Sequence, residues 1–323
     1  MLALTLYPLP GNEERAQAIA RALADHADVQ VAECVVHRFP DGETLVRVQH
    51  PEVGRQAVVV CTLNDPDSKT VPLLMAASTL RELGAVDVGL VAPYLAYMRQ
   101  DKRFLDGQAV SARVYAKLLS RYFDWLITVD PHLHRIHELS QLYTLRCTVV
   151  HAAPRLAEWI KDHVERPLII GPDSESAQWA ADVAARAGAP VVIVEKTRMG
   201  DKEVRSTVPD LHLYPGRTPV LLDDIVSSGR TLVAVLDHLR QRHALPPVCI
   251  AVHGLFAGDA LHEVRFAGAA KLAVTDTVAT ANDERVEIID LTQDTAQAVL
   301  DMVAGNAAQD APTRATINTG AQP

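Results

Sequence analysis

Cysteine is scarce in this chain, and the four that occur, Cys34, Cys61, Cys147 and Cys249, stand far apart. No Cys-x-x-Cys pair exists, which argues against a Cys-rich zinc site; reduced thiols in a cytoplasm are the expectation. No secretory leader is expected either. The opening Met-Leu-Ala-Leu-Thr-Leu-Tyr has no basic region and soon meets Glu13 and Glu14, so it reads as a first strand. No apolar run reaches the roughly 18 residues of a membrane span. There is no basic excess: the formal net charge is −9. That speaks against a nucleic-acid backbone as partner, and leaves room for a small phosphorylated ligand at a local basic site. The P-loop pattern Gly-x-x-x-x-Gly-Lys-Ser/Thr is absent, as is the protein-kinase set, so any nucleotide must be held by other loops.

What is present is an α/β grammar. Short, nearly continuous apolar runs at Ala57–Thr62, Val86–Ala92 and Trp125–Val129 alternate with helical patterns at Glu13–His26, Lys69–Leu83 and Ala112–Phe123. The second half repeats this, with strands at Leu168–Ile170, Val191–Val194, Pro219–Leu222, Val248–Val252 and Leu272–Val274. Its helices are expected at Ala153–His163, Ser174–Ala187, Thr231–Gln241 and Thr292–Val303. Apolar strands spaced by helices predict parallel sheets covered on both faces. With 323 residues, two doubly wound α/β domains are expected, over 1–147 and 148–304, followed by a flexible polar tail over 305–323.

The most informative segment runs Pro219-Val-Leu-Leu-Asp223-Asp224-Ile-Val-Ser227-Ser228-Gly229-Arg230-Thr231. It is an apolar strand, two carboxylates, a small-residue turn and a helix start. Ligands of open parallel sheets bind beyond the carboxyl ends of strands. Small residues let backbone amides approach a phosphate, and the helix N-terminus adds positive potential. The neighbouring carboxylates suit sugar hydroxyls. Paired acids also end many unrelated strands, so this segment alone leaves both meanings open. Arg99, Lys102 and Arg103 cluster after another strand, which suits a triphosphate or a solvated loop. His132, after Asp130, is either a structural strand-end histidine or one protein donor to a divalent ion. His134 and His137 are expected at the surface or in packing. Lys196 and Arg198 are two apart in an extended segment, so both can face one phosphate, or simply solvent.

Taken in order, these segments resemble those of the ribose-phosphate pyrophosphokinases. The Asp223–Thr231 segment resembles the phosphoribosyl diphosphate loop, which type I phosphoribosyltransferases share. Arg38-Phe39-Pro40-Asp41-Gly42-Glu43 resembles the N-terminal ATP loop, and Pro93–Arg103, with Arg99, Gln100 and Lys102, the second ATP segment. His132 and Asp173 match the metal-binding positions, and Glu195-Lys196-Thr197-Arg198 the catalytic lysine–arginine loop. The resemblance implies ATP and ribose 5-phosphate as substrates, Mg2+ as cofactor, two domains of the type I phosphoribosyltransferase kind and a homo-oligomer, dimer or higher. It also implies that the Phe39–Glu43 loop reaches a neighbouring subunit's ATP site.

Some residues depart from the family pattern. Ser174-Glu175-Ser176 follows Asp173 where many members carry a pair of glycines, and Arg230 stands where glycine is common. The Asp-Pro-His and Glu-Lys-Thr-Arg forms are closer to archaeal-type members. The ending does not resemble that of the common class, which implies weak ADP control. Two rival expectations remain: a phosphoribosyltransferase, which has no use for the Phe39 and Arg99–Arg103 segments, and a non-catalytic regulatory paralogue, which has no use for Lys196, Arg198, Asp223 and Asp224.

Overall fold

A computed structural model of the chain describes residues 2–49, 55–133, 135–173, 176–199, 203–207, 211–242, 244–279 and 283–309, with backbone alone at 195–199, 203–207 and 306–309. The first half runs β1 (Leu2–Pro8), α1 (Glu13–Leu23), β2 (Ala27–Val31), β3 (Cys34–Arg38), β4 (Thr44–Val48), β5 (Gln56–Val60) and α2 (Pro66–Glu82). It continues with β6 (Asp87–Val91), α3 (Ser111–Tyr122), β7 (Trp125–Val129), β8 (Arg146–Val150) and α4 (Ala153–His163). The second half runs β9 (Pro167–Gly171), α5 (Ala177–Ala187), β10 (Val191–Ile193), β11 (Glu195–Met199), β12 (Glu203–Thr207) and β13 (Thr218–Val226). It ends with α6 (Arg230–Gln241), β14 (Val248–Gly254), α7 (Ala260–Phe266), β15 (Lys271–Thr275), β16 (Val286–Ile289) and α8 (Thr292–Gln309).

Two six-stranded parallel sheets result, in the orders β2-β1-β5-β6-β7-β8 and β10-β9-β13-β14-β15-β16. The second repeats the first position for position, and each carries a separate antiparallel hairpin, β3–β4 or β11–β12, at the same point in the order. Central strands such as β7 and β14 are buried along their whole length, which is why they read as unbroken apolar runs. Each Leu, Ile or Val removed from water in this way contributes about 1.5–3 kcal/mol. Close packing also dictates Gly89: a Cβ there would lie 2.0 Å from the Trp125 ring, which is fully buried and donates through Nε1 to Asp87 Oδ2 at 2.9 Å.

The last helix of each half is exchanged. α4 packs on α5 and touches β16, while α8 crosses back onto α1, β7 and β8. One continuous core therefore joins the halves, from Leu6 and Val58 of the first through Ile169 and Val220 of the second to Val299. The expected line at 147/148 falls inside β8, because the run Cys147–Val150 goes on pairing with β7 to its end. Similarly, α8 continues to Gln309, five residues into the stretch expected as tail, where Ala307 and Ala308 favour helix; residues 310–323 lie outside the described residues. Among the described residues no helix is long and apolar enough to cross a membrane.

Candidate active site

The two sheets meet with the carboxyl ends of their strands around a cleft of about 950 Å3. Into it the fold brings Arg99 from the loop after β6, Asp130 and His132 from the end of β7, Asp173 from the end of β9, Asp223 and Asp224 from β13 and Thr231 from the first turn of α6. These residues come from both halves and from across more than a hundred positions of sequence. β13 does not stop at Leu222, as the sequence suggests: it stays paired with β14 as far as Val226, so both carboxylates stand on a rigid strand.

The acids and the histidine interact directly. His132 Nδ1 is hydrogen-bonded to Asp224 Oδ2 across the two halves. Asp223 Oδ1 accepts the Asp224 amide at 3.0 Å. Burial, with the Asp224 and Asp173 carboxylates nearby, pushes the Asp223 carboxyl well above the usual carboxylate range. Asp173 accepts the Ser176 amide at 3.1 Å, a turn that opens α5. Asp130 adopts φ +27°, an unusual value for a residue with a side chain. Its carboxylate takes the Ala152 amide and His151 Nδ1, both at 2.9 Å. That hydrogen bond to Asp130 holds the His151 pKa above its ordinary value.

The Ser227–Thr231 turn joins β13 to α6, and of its residues Thr231 lines the cleft. Gly229 caps α6 in the left-handed region, φ +69°, and a Cβ there would meet Val264 at 2.9 Å. Ser228 and Arg230 are exposed, and Ser227 and Thr231 half-buried. Of the other expected residues, Arg99 is exposed at the cleft and Gln100 Oε1 accepts from Ser111 Oγ at 2.5 Å. Lys102 Nζ lies 5.2 Å from the Phe104 ring centroid. Phe39, Asp41, Gly42 and Glu43 form the β3–β4 hairpin tip and are not among the residues lining the cleft. Lys196 and Arg198 lie on β11, opposite Ser206 and Val204 of β12. His137, expected at the surface or in packing, is exposed at the cleft; His134, Ser174 and Glu175 lie outside the described residues. Sequence reasoning missed His151, Trp179 and His253, none of which stands in a recognisable segment.

The repeated topology creates a second cleft of about 930 Å3, lined by Asn12 and Arg15 of the β1–α1 end, Thr62 and Lys69 of the β5–α2 end and Asp276 after β15. Its helix start differs in chemistry. Asp65 caps α2 at φ +53°, the counterpart of Gly229, and is followed by Pro66 and Asp67. Two carboxylates and a proline without N–H stand at the α2 start where the α6 start offers hydroxyls and amides, which makes it a poorer phosphate seat, while Arg15, Arg21 and Lys69 line the cleft itself. Arg15 Nη1 bridges to Asp276 Oδ2 at 3.1 Å across the halves.

Residues 9–122 match the family model for the N-terminal domain of ribose phosphate pyrophosphokinase, and residues 147–272 the phosphoribosyl transferase domain model. A ribose-phosphate pyrophosphokinase of Methanopyrus kandleri is 34% identical over 265 residues, covering 80% of this chain and 89% of the relative. One from Saccharolobus solfataricus is 33% identical over 260 residues, covering 79% and 87%. The solved phosphoribosylpyrophosphate synthetase of Mycobacterium smegmatis has the same fold, with a TM-score of 0.81 over 95% of this chain and 99% of that one, at 24% identity.

Proposed function

The chain belongs to the ribose-phosphate pyrophosphokinase family, and on that premise we propose that its first cleft transfers the β,γ-diphosphate of ATP to O1 of ribose 5-phosphate, releasing AMP. One observation supports this most: a single cleft gathers Arg99, from the segment suited to a triphosphate, with Asp223, Asp224 and Thr231, from the segment suited to a sugar phosphate. A phosphoribosyltransferase needs only the second set.

In this reading the Ser227–Thr231 turn and the α6 N-terminus hold the 5-phosphate. Asp223 and Asp224 accept hydrogen bonds from the ribose hydroxyls. The raised pKa of Asp223 suits it to take the O1 proton as O1 attacks the β-phosphorus and the bond to the AMP oxygen breaks. Arg99, Gln100 and Lys102 hold the triphosphate. Lys196 and Arg198 meet the charge that builds on the transferring group, chemistry that is mostly positioning and charge neutralisation.

The donor set fits a magnesium ion held largely by substrate oxygens. Among the described residues no three His, Cys, Asp or Glu side chains converge as a self-sufficient metal cage. A magnesium site of this kind needs only one or two protein ligands beside substrate phosphates. His132 and Asp173 would hold it. With Nδ1 hydrogen-bonded to Asp224, His132 would have Nε2 left to offer the ion. Bound magnesium would neutralise charge on the phosphate oxygens.

A coupled assay for AMP tests the reading. Release should require ATP, ribose 5-phosphate and magnesium together. AMP release no faster than in a protein-free blank, with all three saturating, would overturn it.

A further inference from the structure

We propose that His253 is a positioning residue for this reaction: it holds the Asp130–His132 turn of the first sheet in place against Asp223 and Asp224 of the second. It rests on the magnesium role proposed for His132.

His253 stands near the end of β14, paired with Ile225, the residue after Asp224. Its side chain is 1% exposed, at the seam between the two sheets. Nε2 lies 3.1 Å from Val129 O and 3.3 Å from Asp130 O. Carbonyls only accept, so Nε2 carries the proton and donates to both. Nδ1 lies 2.8 Å from Thr277 Oγ1. The ring also meets the Tyr94 ring edge-on, with centroids 5.0 Å apart. A buried side chain of the second half is thereby anchored on three sides, and its one strong donor is aimed at the carbonyls of Val129 and Asp130, three and two residues before His132.

Those carbonyls belong to a strained turn. Asp130 has φ +27°, a conformation that persists only where surrounding bonds over-determine it. Its carboxylate is fixed by Ala152 and His151, and its carbonyl by His253. The turn therefore takes its position partly from the strand next to the one that carries Asp223 and Asp224. The carboxylates and His132 have to meet one metal–substrate assembly. A shift on the order of 1 Å between such groups is enough to lower a rate by about 100-fold.

The test uses the full-length protein with ribose 5-phosphate present and Mn2+ as probe. Free Mn2+ is read by electron paramagnetic resonance, magnesium-dependent kinetics are read in parallel, and thermal unfolding is followed for every variant. His253→Phe keeps a ring against Tyr94 and removes the donor. It should weaken Mn2+ binding and raise the half-saturating magnesium concentration about tenfold, the scale of lost outer-shell support, with a much smaller change in KM for ribose 5-phosphate. His253→Gln returns an N–H near the Nε2 position and should recover most of the loss. His132→Ala is the control: if it leaves Mn2+ affinity unchanged, the metal reading fails and the inference with it. If His132→Ala weakens Mn2+ binding and a folded His253→Phe does not, the inference alone fails. It fails equally if Gln is as impaired as Phe. Should His253→Phe not fold, Thr277→Val, which removes the Nδ1 partner, carries the test; unchanged Mn2+ affinity there overturns the proposal.

Discussion

Asp130 and Asp276 stand at the same place in the two halves of the chain. Each follows the fifth strand of its sheet in spatial order, and each amide donates to the end of the sixth, Val150 O or Ile289 O, at 3.1 Å. Each carboxylate accepts the amide that opens the exchanged helix, Ala152 at 2.9 Å or Leu291 at 3.2 Å. The equivalence covers backbone and carboxylate and ends there. Asp130 is bonded to His151 and lies two residues before His132; Asp276 is paired with Arg15, with Val278 two residues on.

Ribose 5-phosphate should therefore bind once per chain. The chain has two clefts of nearly equal size, but the helix start of the second carries Asp65, Pro66 and Asp67. Equilibrium binding should give one site per chain. Ser228→Asp, which puts a carboxylate into the first loop as Asp65 does in the second, should weaken binding on the order of 100-fold, the scale of a like-charge contact of several kcal/mol. Two equivalents bound per chain, or a Ser228→Asp variant with normal affinity, would contradict the assignment.

Lys196→Ala should lower kcat on the order of 100-fold or more, the usual loss when a preorganised charge at the reacting centre is removed. KM for both substrates should change far less, because the charge acts mainly in the transition state. Steady-state kinetics of the folded variant decide this, and a near-normal kcat would take Lys196 out of the catalytic role.

Asp223→Asn should separate stability from activity. The Asp223 pKa is raised on folding, so between the ordinary carboxylate pKa near 4 and its higher folded value the native state holds a proton that the unfolded state has released. Stability from this group is thus present at low pH and lost as pH rises through that window. Asparagine removes the buried charge. The Tm of the variant, measured without ligands, should exceed that of the parent at pH 7, and the gap should shrink toward pH 4. Meanwhile kcat/KM should fall on the order of 100-fold, from the loss of the base and of one acceptor for the ribose. A gap that is constant with pH would mean that Asp223 titrates normally.

How much of this was legible in the sequence follows from where each residue's contacts lie. Strands buried on both faces, such as Trp125–Val129, announce themselves by composition alone, and α4 has the bounds its apolar period predicts, Ala153–His163. The hairpins β3–β4 and β11–β12 were not legible: they pair outside the main sheets and mix polar with apolar residues. Asp223, Asp224 and Thr231 stood out because their chemistry is local, a strand end running into a helix start. His253 did not, because it sits inside an apolar strand and takes its meaning from carbonyls 123 and 124 positions away. The repetition of the halves was legible as a repeated alternation of apolar strands and helices; the shared strand order was not, because it rests on pairings between distant segments.

The active site should be shared between subunits. Phe39 is 40% exposed at the tip of the β3–β4 hairpin, with its ring edge-on to His37 at 4.8 Å. The tip is tightly turned, with Phe39 N donating to Glu43 O at 2.8 Å, yet Phe39, Asp41, Gly42 and Glu43 are not among the residues lining the cleft of their own chain. An exposed aromatic on a rigid hairpin suits stacking on an adenine held by a neighbouring chain. Phe39→Ala and Lys196→Ala, each nearly inactive alone, should complement each other when unfolded and refolded together. A mixed pair then contains one site with an intact lysine from one chain and an intact hairpin from the other, while its second site carries both defects. For dimers assembled at random, about a quarter of all sites would be intact. If the hairpin instead serves its own chain, every site carries one defect and nothing is recovered. With mixed oligomers confirmed by mass, activity no higher than the mean of the two parents would rule out the shared site.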